Sequence, residues 1–135
     1  MKSVYAREIE ELHAFFVAWF CGELPRTPGT FARFTNVTAS EFTLISPNGV
    51  MIDYAAAVDW IENAHGSRTN FNIWIENFRL HQQHDGVAIV TYDEWGESED
   101  GVTSRVSTAI FADDETTPNG VRWLHVHETW LASNA

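Results

Sequence analysis

A chain of 135 residues that is 44% hydrophobic, with 6 Trp, 3 Tyr and 9 Phe, can bury one sizeable core without disulfide or metal staples. Its 19 acidic residues against 8 Lys and Arg leave a formal charge of -11, the wrong sign for holding a phosphate backbone, so nucleic acid is not an expected partner. The lone cysteine, Cys21, excludes an intrachain disulfide and a thiolate zinc framework.

The first segment, MKSVYAREIEELHAFF, carries glutamates where an export signal needs an apolar run, and no window is long and apolar enough to span a bilayer. The expectation is a soluble, cytoplasmic protein with no membrane partner and one domain over 1–135. Between Ser3 and Cys21, residues Tyr5, Ile9, Leu12, Phe16 and Trp19 recur at helical spacing, with Arg7, Glu8, Glu10 and Glu11 on the other side and Gly22 as terminator. Thr27-Pro28 caps and starts a short helix that carries Phe31 and Phe34 and ends near Thr35. The Asn36-Val37-Thr38 triplet matches a glycosylation acceptor, but without an export signal the match is chance.

The run Glu41–Ile45 is rich in β-formers, and Ser46-Pro47-Asn48-Gly49 turns it back into Val50-Met51-Ile52. Asp53 caps a further helix whose stripe is Tyr54, Ala57, Val58 and Ile61, closed by Gly66. The remainder is strands punctuated by Asp85-Gly86, Asp100-Gly101 and Pro118-Asn119-Gly120. This predicts a four-stranded antiparallel meander over Phe71–Gln82, Val87–Glu97, Val102–Ala112 and Val121–Ala132. In its first strand Phe71, Ile73 and Ile75 share one face, and Trp74, Phe78 and Leu80 the other. Helices cover one face only, so a second copy of the chain is expected on the other, giving a homodimer.

The order helix, helix, hairpin, helix, meander resembles the NTF2-like superfamily over nearly the whole chain. The resemblance implies an α+β, cystatin-like cone in which a curved mixed sheet wraps around N-terminal helices. The phrases WFCGE, EFTLISPNG, SRVSTAIF and VRWLHVHETWL look like its SnoaL-like or DUF4440 group. Trp123, Val126 and His127 are similar to a pattern in the association domain of calcium/calmodulin-dependent kinase II. That domain's cavity arginines fall here on Glu94 and Ala109, which leaves Arg105 as one possible positive charge. The superfamily holds isomerases, cyclases, dehydratases and assembly domains, so fold does not choose among them.

Strict alternation through RWLHVHETW puts Trp123, His125, His127 and Thr129 on one face and Leu124, Val126, Glu128 and Trp130 on the other. His125 and His127 have a spacing that strand-borne metal ligands use, but no third ligand is nominated, so neither a metal nor another cofactor is expected. An imidazole on a cavity wall could serve as a general base, and a carboxylate such as Glu94 in an apolar cone is raised in pKa by desolvation. Glu94, His127 and Tyr92 are therefore the candidate catalytic residues. Tyr92, Glu94, Arg105, Trp123, His125 and His127 are the candidate ligand contacts. His13, offset from its helix's apolar stripe, could approach the cavity from the helical side and is a weaker candidate, as are His81 and His84 beside a turn, and the acidic run Asp113–Glu115 is a solvated loop. The expected function is binding of a partly apolar small molecule in the cone. The alternatives are an isomerase or dehydratase with a cavity Glu or His as base, and a homo-oligomeric assembly module.

Overall fold

The computed structural model describes residues 3–131, so the last expected strand residue, Ala132, lies outside the described residues. Helix α1 (Val4–Phe20) begins where the Ser3 hydroxyl accepts from the Ala6 N–H, and Gly22 turns the chain out of it at φ 72°. Helix α2 (Pro28–Thr35) starts with proline in its first turn behind the Thr27 cap. Strands β1 (Thr38–Ile45) and β2 (Met51–Asp53) form the short hairpin, and Asp53 caps α3 (Tyr54–Asn63) by accepting from the Ala56 N–H. The meander follows as β3 (Asn72–His84), β4 (Val87–Ser98), β5 (Gly101–Asp113) and β6 (Val121–Trp130).

One mixed sheet of order β2-β1-β6-β5-β4-β3 results, with β1 parallel to β6 and the other pairs antiparallel. Its inner face meets the helices in one core, where Ile9, Leu12 and Trp19 of α1 cluster with Val90, Phe111 and Trp123 of the sheet. Phe111 is fully buried and packs at 4.5 Å, centroid to centroid, on Trp123; truncating such a ring costs about 3–5 kcal/mol. The fold is the α+β cone that the element order implies.

Three sequence expectations change. Glu8, assigned to the solvent side of α1, is wholly buried. Its carboxylate accepts from both terminal nitrogens of Arg33 at 2.9 and 3.1 Å, from Asn119 Nδ2 at 3.0 Å and from Trp123 Nε1 at 3.0 Å. Four donors are what make a carboxylate tolerable there. Phe78 does not stay on Trp74's face. Asn77, at φ 55°, sits in a register break between Glu76 and Arg79, and Phe78 packs against the core instead.

The third change is in β6. Trp123 pairs with Phe111 and His125 with Ile110, so two residues of β6 span one step of β5. That bulge at Leu124 reverses the alternation beyond it. Trp123, Val126, Glu128 and Trp130 share the inner face, while His125 and His127 turn outward.

Candidate functional site

Between the inner face of the sheet, α1, α3 and the β1–β2 hairpin lies a cavity of about 850 Å³. Its walls are mostly apolar and aromatic, from Phe16 and Phe34 on the helical side to Trp123 and Trp130 on the sheet, with Phe71 just ahead of β3. Four polar side chains meet on one wall: His13 from α1, Glu94 from β4, Arg105 from β5 and Glu128 from β6. Glu94 stands directly opposite Arg105 in the ladder, and Arg105 opposite Trp130, so the register itself brings three elements of the site together.

His13 Nδ1 lies 2.7 Å from the Ile9 carbonyl and Nε2 lies 3.0 Å from Glu94 Oε1. The Ile9 carbonyl only accepts, so Nδ1 carries a proton, and an ionised Glu94 favours a second proton on Nε2. Burial alone would lower its pKa, but the Glu94 charge and hydrogen bond, the Ile9 carbonyl and Glu128 together raise it above the ordinary 6.5. Burial likewise pushes the Glu94 carboxyl up. The His13 charge and hydrogen bond and the Arg105 guanidinium outweigh that and hold it below the ordinary 4.5.

Arg105 donates to Glu128 Oε1 at 3.1 Å, lies 3.6 Å from Glu94 Oε2, and sits 5.4 Å over the Trp130 ring. Glu128 behaves in the opposite way to Glu94. Its burial and the nearby Glu94 charge outweigh Arg105 and His13, and its pKa is raised. Tyr92 lies edge-on to His13 at 5.8 Å, and burial followed by the Glu94 and Glu128 charges pushes its phenol well above 10. It is therefore a neutral hydroxyl at any working pH.

Of the residues nominated from sequence, Tyr92, Glu94, Arg105 and Trp123 line this cavity together. His125 and His127 do not, which corrects their assignment as cavity ligand contacts and that of His127 as a cavity base. The bulge at Leu124 turns them to the opposite face, where the His125 ring bonds the Thr43 hydroxyl at 2.8 Å and His127 is exposed. Glu94 does face the cavity, but the expectation of a raised pKa is corrected by its two cationic neighbours.

One site residue, Glu128, escaped the sequence reading, and another, His13, was rated only as a weaker candidate. Glu128 was misplaced by the same one-residue slip, for which the sequence carries no plain signal. His13 did carry one: Ile9, Leu12, His13 and Phe16 stand at i, i+3, i+4 and i+7, the spacing of a buried face. His81 bonds the Thr91 hydroxyl at an exposed site beside the turn. Among the described residues no group of three or more His, Cys, Asp or Glu is arranged to hold a metal ion, and no helix is long and apolar enough to cross a membrane.

Residues 5–132 match the family model described as sucrose-6-phosphate phosphohydrolase C-terminal. Sucrose-phosphatase 2 of Nicotiana tabacum is 25% identical over 131 residues, a match that covers 95% of this chain and 31% of that protein. The chain thus spans about a third of the length of this curated relative. Among solved structures, an NTF-2 like protein of unknown function from Pseudomonas aeruginosa superposes with a TM-score of 0.85 at 24% identity, covering 96% of this chain and 99% of that one. The CaMKII hub of S. rosetta superposes with a TM-score of 0.59 at 18% identity, covering 73% of this chain and 79% of that one. Both likenesses are of fold, and they bear out the NTF2-like fold and its likeness to that of the kinase association domain.

Proposed function

The chain belongs to the sucrose-6-phosphate phosphohydrolase C-terminal family, and from that premise we propose that it is a self-associating binding domain whose cavity takes a partly apolar small molecule from sugar chemistry. The SnoaL-like and DUF4440 grouping stays an expectation; the family identified is the sucrose-phosphatase one. The observation that carries the proposal is the cavity of about 850 Å³, apolar on most of its walls and closed on one side by charges already paired with one another. Concave, mainly apolar sites of about 300–1,000 Å³ with a few convergent polar groups are where small ligands bind. The names of the relatives supply sugars as the chemistry to test first. Native mass spectrometry of the gently purified protein tests it: a bound small molecule that leaves on mild activation is expected, and a chain that carries none and takes up none from a sugar library argues against it.

Self-association is supported by the outer sheet face, where Ile89, Ile110 and His125 form a row across β4, β5 and β6 and Ile89 is exposed. The hub-like neighbours point the same way. A homodimer through this face is the arrangement proposed.

A second reading, proton transfer in the cavity, has one observation in its favour. Glu128 is a cavity carboxyl with a raised pKa, as a general base working near neutrality needs. Tyr92 would then be the hydrogen-bond donor. Glu94, held low by two cations, is a poor base.

A further inference from the structure

The charges around the cavity are unequal in a way that selects a ligand. Four carboxylates line it, Glu94, Glu97, Asp100 and Glu128, against the cations Arg68, Arg105 and His13. The two deep cations are already engaged. His13 spends both ring nitrogens on Ile9 and Glu94, and Arg105 lies between Glu94 and Glu128. Arg68 is exposed at the rim and lies over the Phe71 ring at 4.9 Å. An anion entering the pocket would find no unpaired deep cation and two buried carboxylates beside the nearest one, in a chain that is itself -11.

Acceptors, in contrast, are in surplus. Glu128 Oε2 takes no hydrogen bond from the described residues, and Glu94 Oε2 has only the long 3.6 Å approach of Arg105. Trp123 and Trp130 line the same cavity. Carboxylate oxygens that lack donors, in a cavity whose walls are mostly apolar and aromatic, match a ring that offers hydroxyl protons along its edge and C–H groups on its face.

We infer that the cavity takes an uncharged polyhydroxylated ring compound and rejects its phosphate ester, with Glu128 and Glu94 as the residues that set this preference. This rests on the reading of the cavity as a binding site. For a sugar and its phosphate, the domain therefore distinguishes the two by holding the one without charge.

Two matched pairs test it on the full chain: sucrose with sucrose 6-phosphate, and glucose with glucose 6-phosphate. Binding is followed by calorimetry, and by displacement of the neutral apolar dye N-phenyl-1-naphthylamine. The expected result is that at least one free sugar binds and displaces the dye, and that its phosphate binds at least about tenfold more weakly. Glu128→Gln, checked for folding by its retained dye binding, is expected to shrink that ratio to within about threefold, because one repelling carboxylate is gone and Arg105 is freed.

A phosphate that binds as tightly as its parent sugar overturns the inference. So does dye binding that no free sugar competes with, which leaves the cavity reading standing. Absence of dye binding overturns the cavity reading and this inference together. If Glu128→Gln loses the dye site, Glu94→Gln carries the same expectation. An unchanged ratio in a variant that keeps the dye removes the two carboxylates from the role.

Discussion

His13 and Glu94 stand 81 positions apart in the chain and 3.0 Å apart in the fold, a charged pair sealed between α1 and β4 with side-chain exposures of 8% and 10%. The His13 pKa is raised above 6.5 and that of Glu94 is held below 4.5. The histidine's contribution is present in full below 6.5 and is lost as pH rises through its raised folded value. The glutamate's is present above 4.5 and is lost as pH falls through its depressed one. Between those limits the pair is fully charged on both sides. His13→Gln should then destabilise by about 3 kcal/mol near pH 5.5 and by clearly less near pH 9, read from urea unfolding at each pH. Equal losses at the two pH values would mean that the ring is held neutral.

Replacing one oxygen of Glu8 by an amide nitrogen leaves Arg33 without its bidentate partner and either Asn119 or Trp123 without its Glu8 acceptor. Glu8→Gln should lower stability by about 3–5 kcal/mol, among the largest single losses expected in the chain. Trp123→Phe, which deletes one donor and keeps most of the ring, should cost about 1–3 kcal/mol. Denaturant titration of the two variants checks the ranking, and a Glu8→Gln loss smaller than that of Trp123→Phe would contradict the assignment.

Ile110 lies at the centre of the outer face, between Ile89 and His125. A glutamate there would meet its own copy across an isologous interface. Ile110→Glu should halve the mass seen by light scattering at micromolar protein while leaving the far-ultraviolet circular dichroism unchanged. A parent protein that is already monomeric would remove the dimer from the proposal.

The outward position of His125 and His127 makes a further separation. His127→Ala should leave sugar and dye binding unchanged and alter stability by about 0.5 kcal/mol or less, since the ring is exposed and lies outside the hydrogen bonds of the cavity cluster. Elemental analysis of dialysed protein should find no stoichiometric transition metal. About one zinc per chain, lost in a His125→Ala variant, would restore the pair as ligands, with the missing donors coming from a second copy.

The helices and turns were legible because their signals are local. Ser3, Thr27 and Asp53 cap where hydroxyl and carboxylate side chains do so, and the Asp85-Gly86 pair takes the positive φ values, 50° and 78°, that a tight hairpin needs. Tyr92, Glu94 and Arg105 were placed correctly because β4 and β5 pair without a break. Alternation failed where the ladder inserts a residue, at Asn77 in β3 and Leu124 in β6, since a bulge is decided by how two strands meet and leaves the intervening composition unmarked. Glu8 was misplaced, and His13 rated too weakly, for a different reason. Hydrophobicity alone assigned the stripe of α1, whereas both stand at helical spacing within it and are buried because partners from the distant end of the chain reach them.

That distance sets an order of events during synthesis. Asn119 and Trp123, two of the groups that donate to Glu8, lie 111 and 115 positions downstream of it, so they leave the ribosome long after α1 has formed. Until they arrive, the carboxylate of Glu8 has only the α2 guanidinium, and α1 has no finished wall to lie against. Nor can β1 gain its parallel neighbour before β6 exists. Closure of loops this long is slow relative to helix formation, so the nascent chain waits with an apolar helix face uncovered. The cone therefore cannot be completed before β6 has emerged, and a ribosome that stalls before residue 119 releases a chain with an uncovered α1 for chaperones and proteases to recognise.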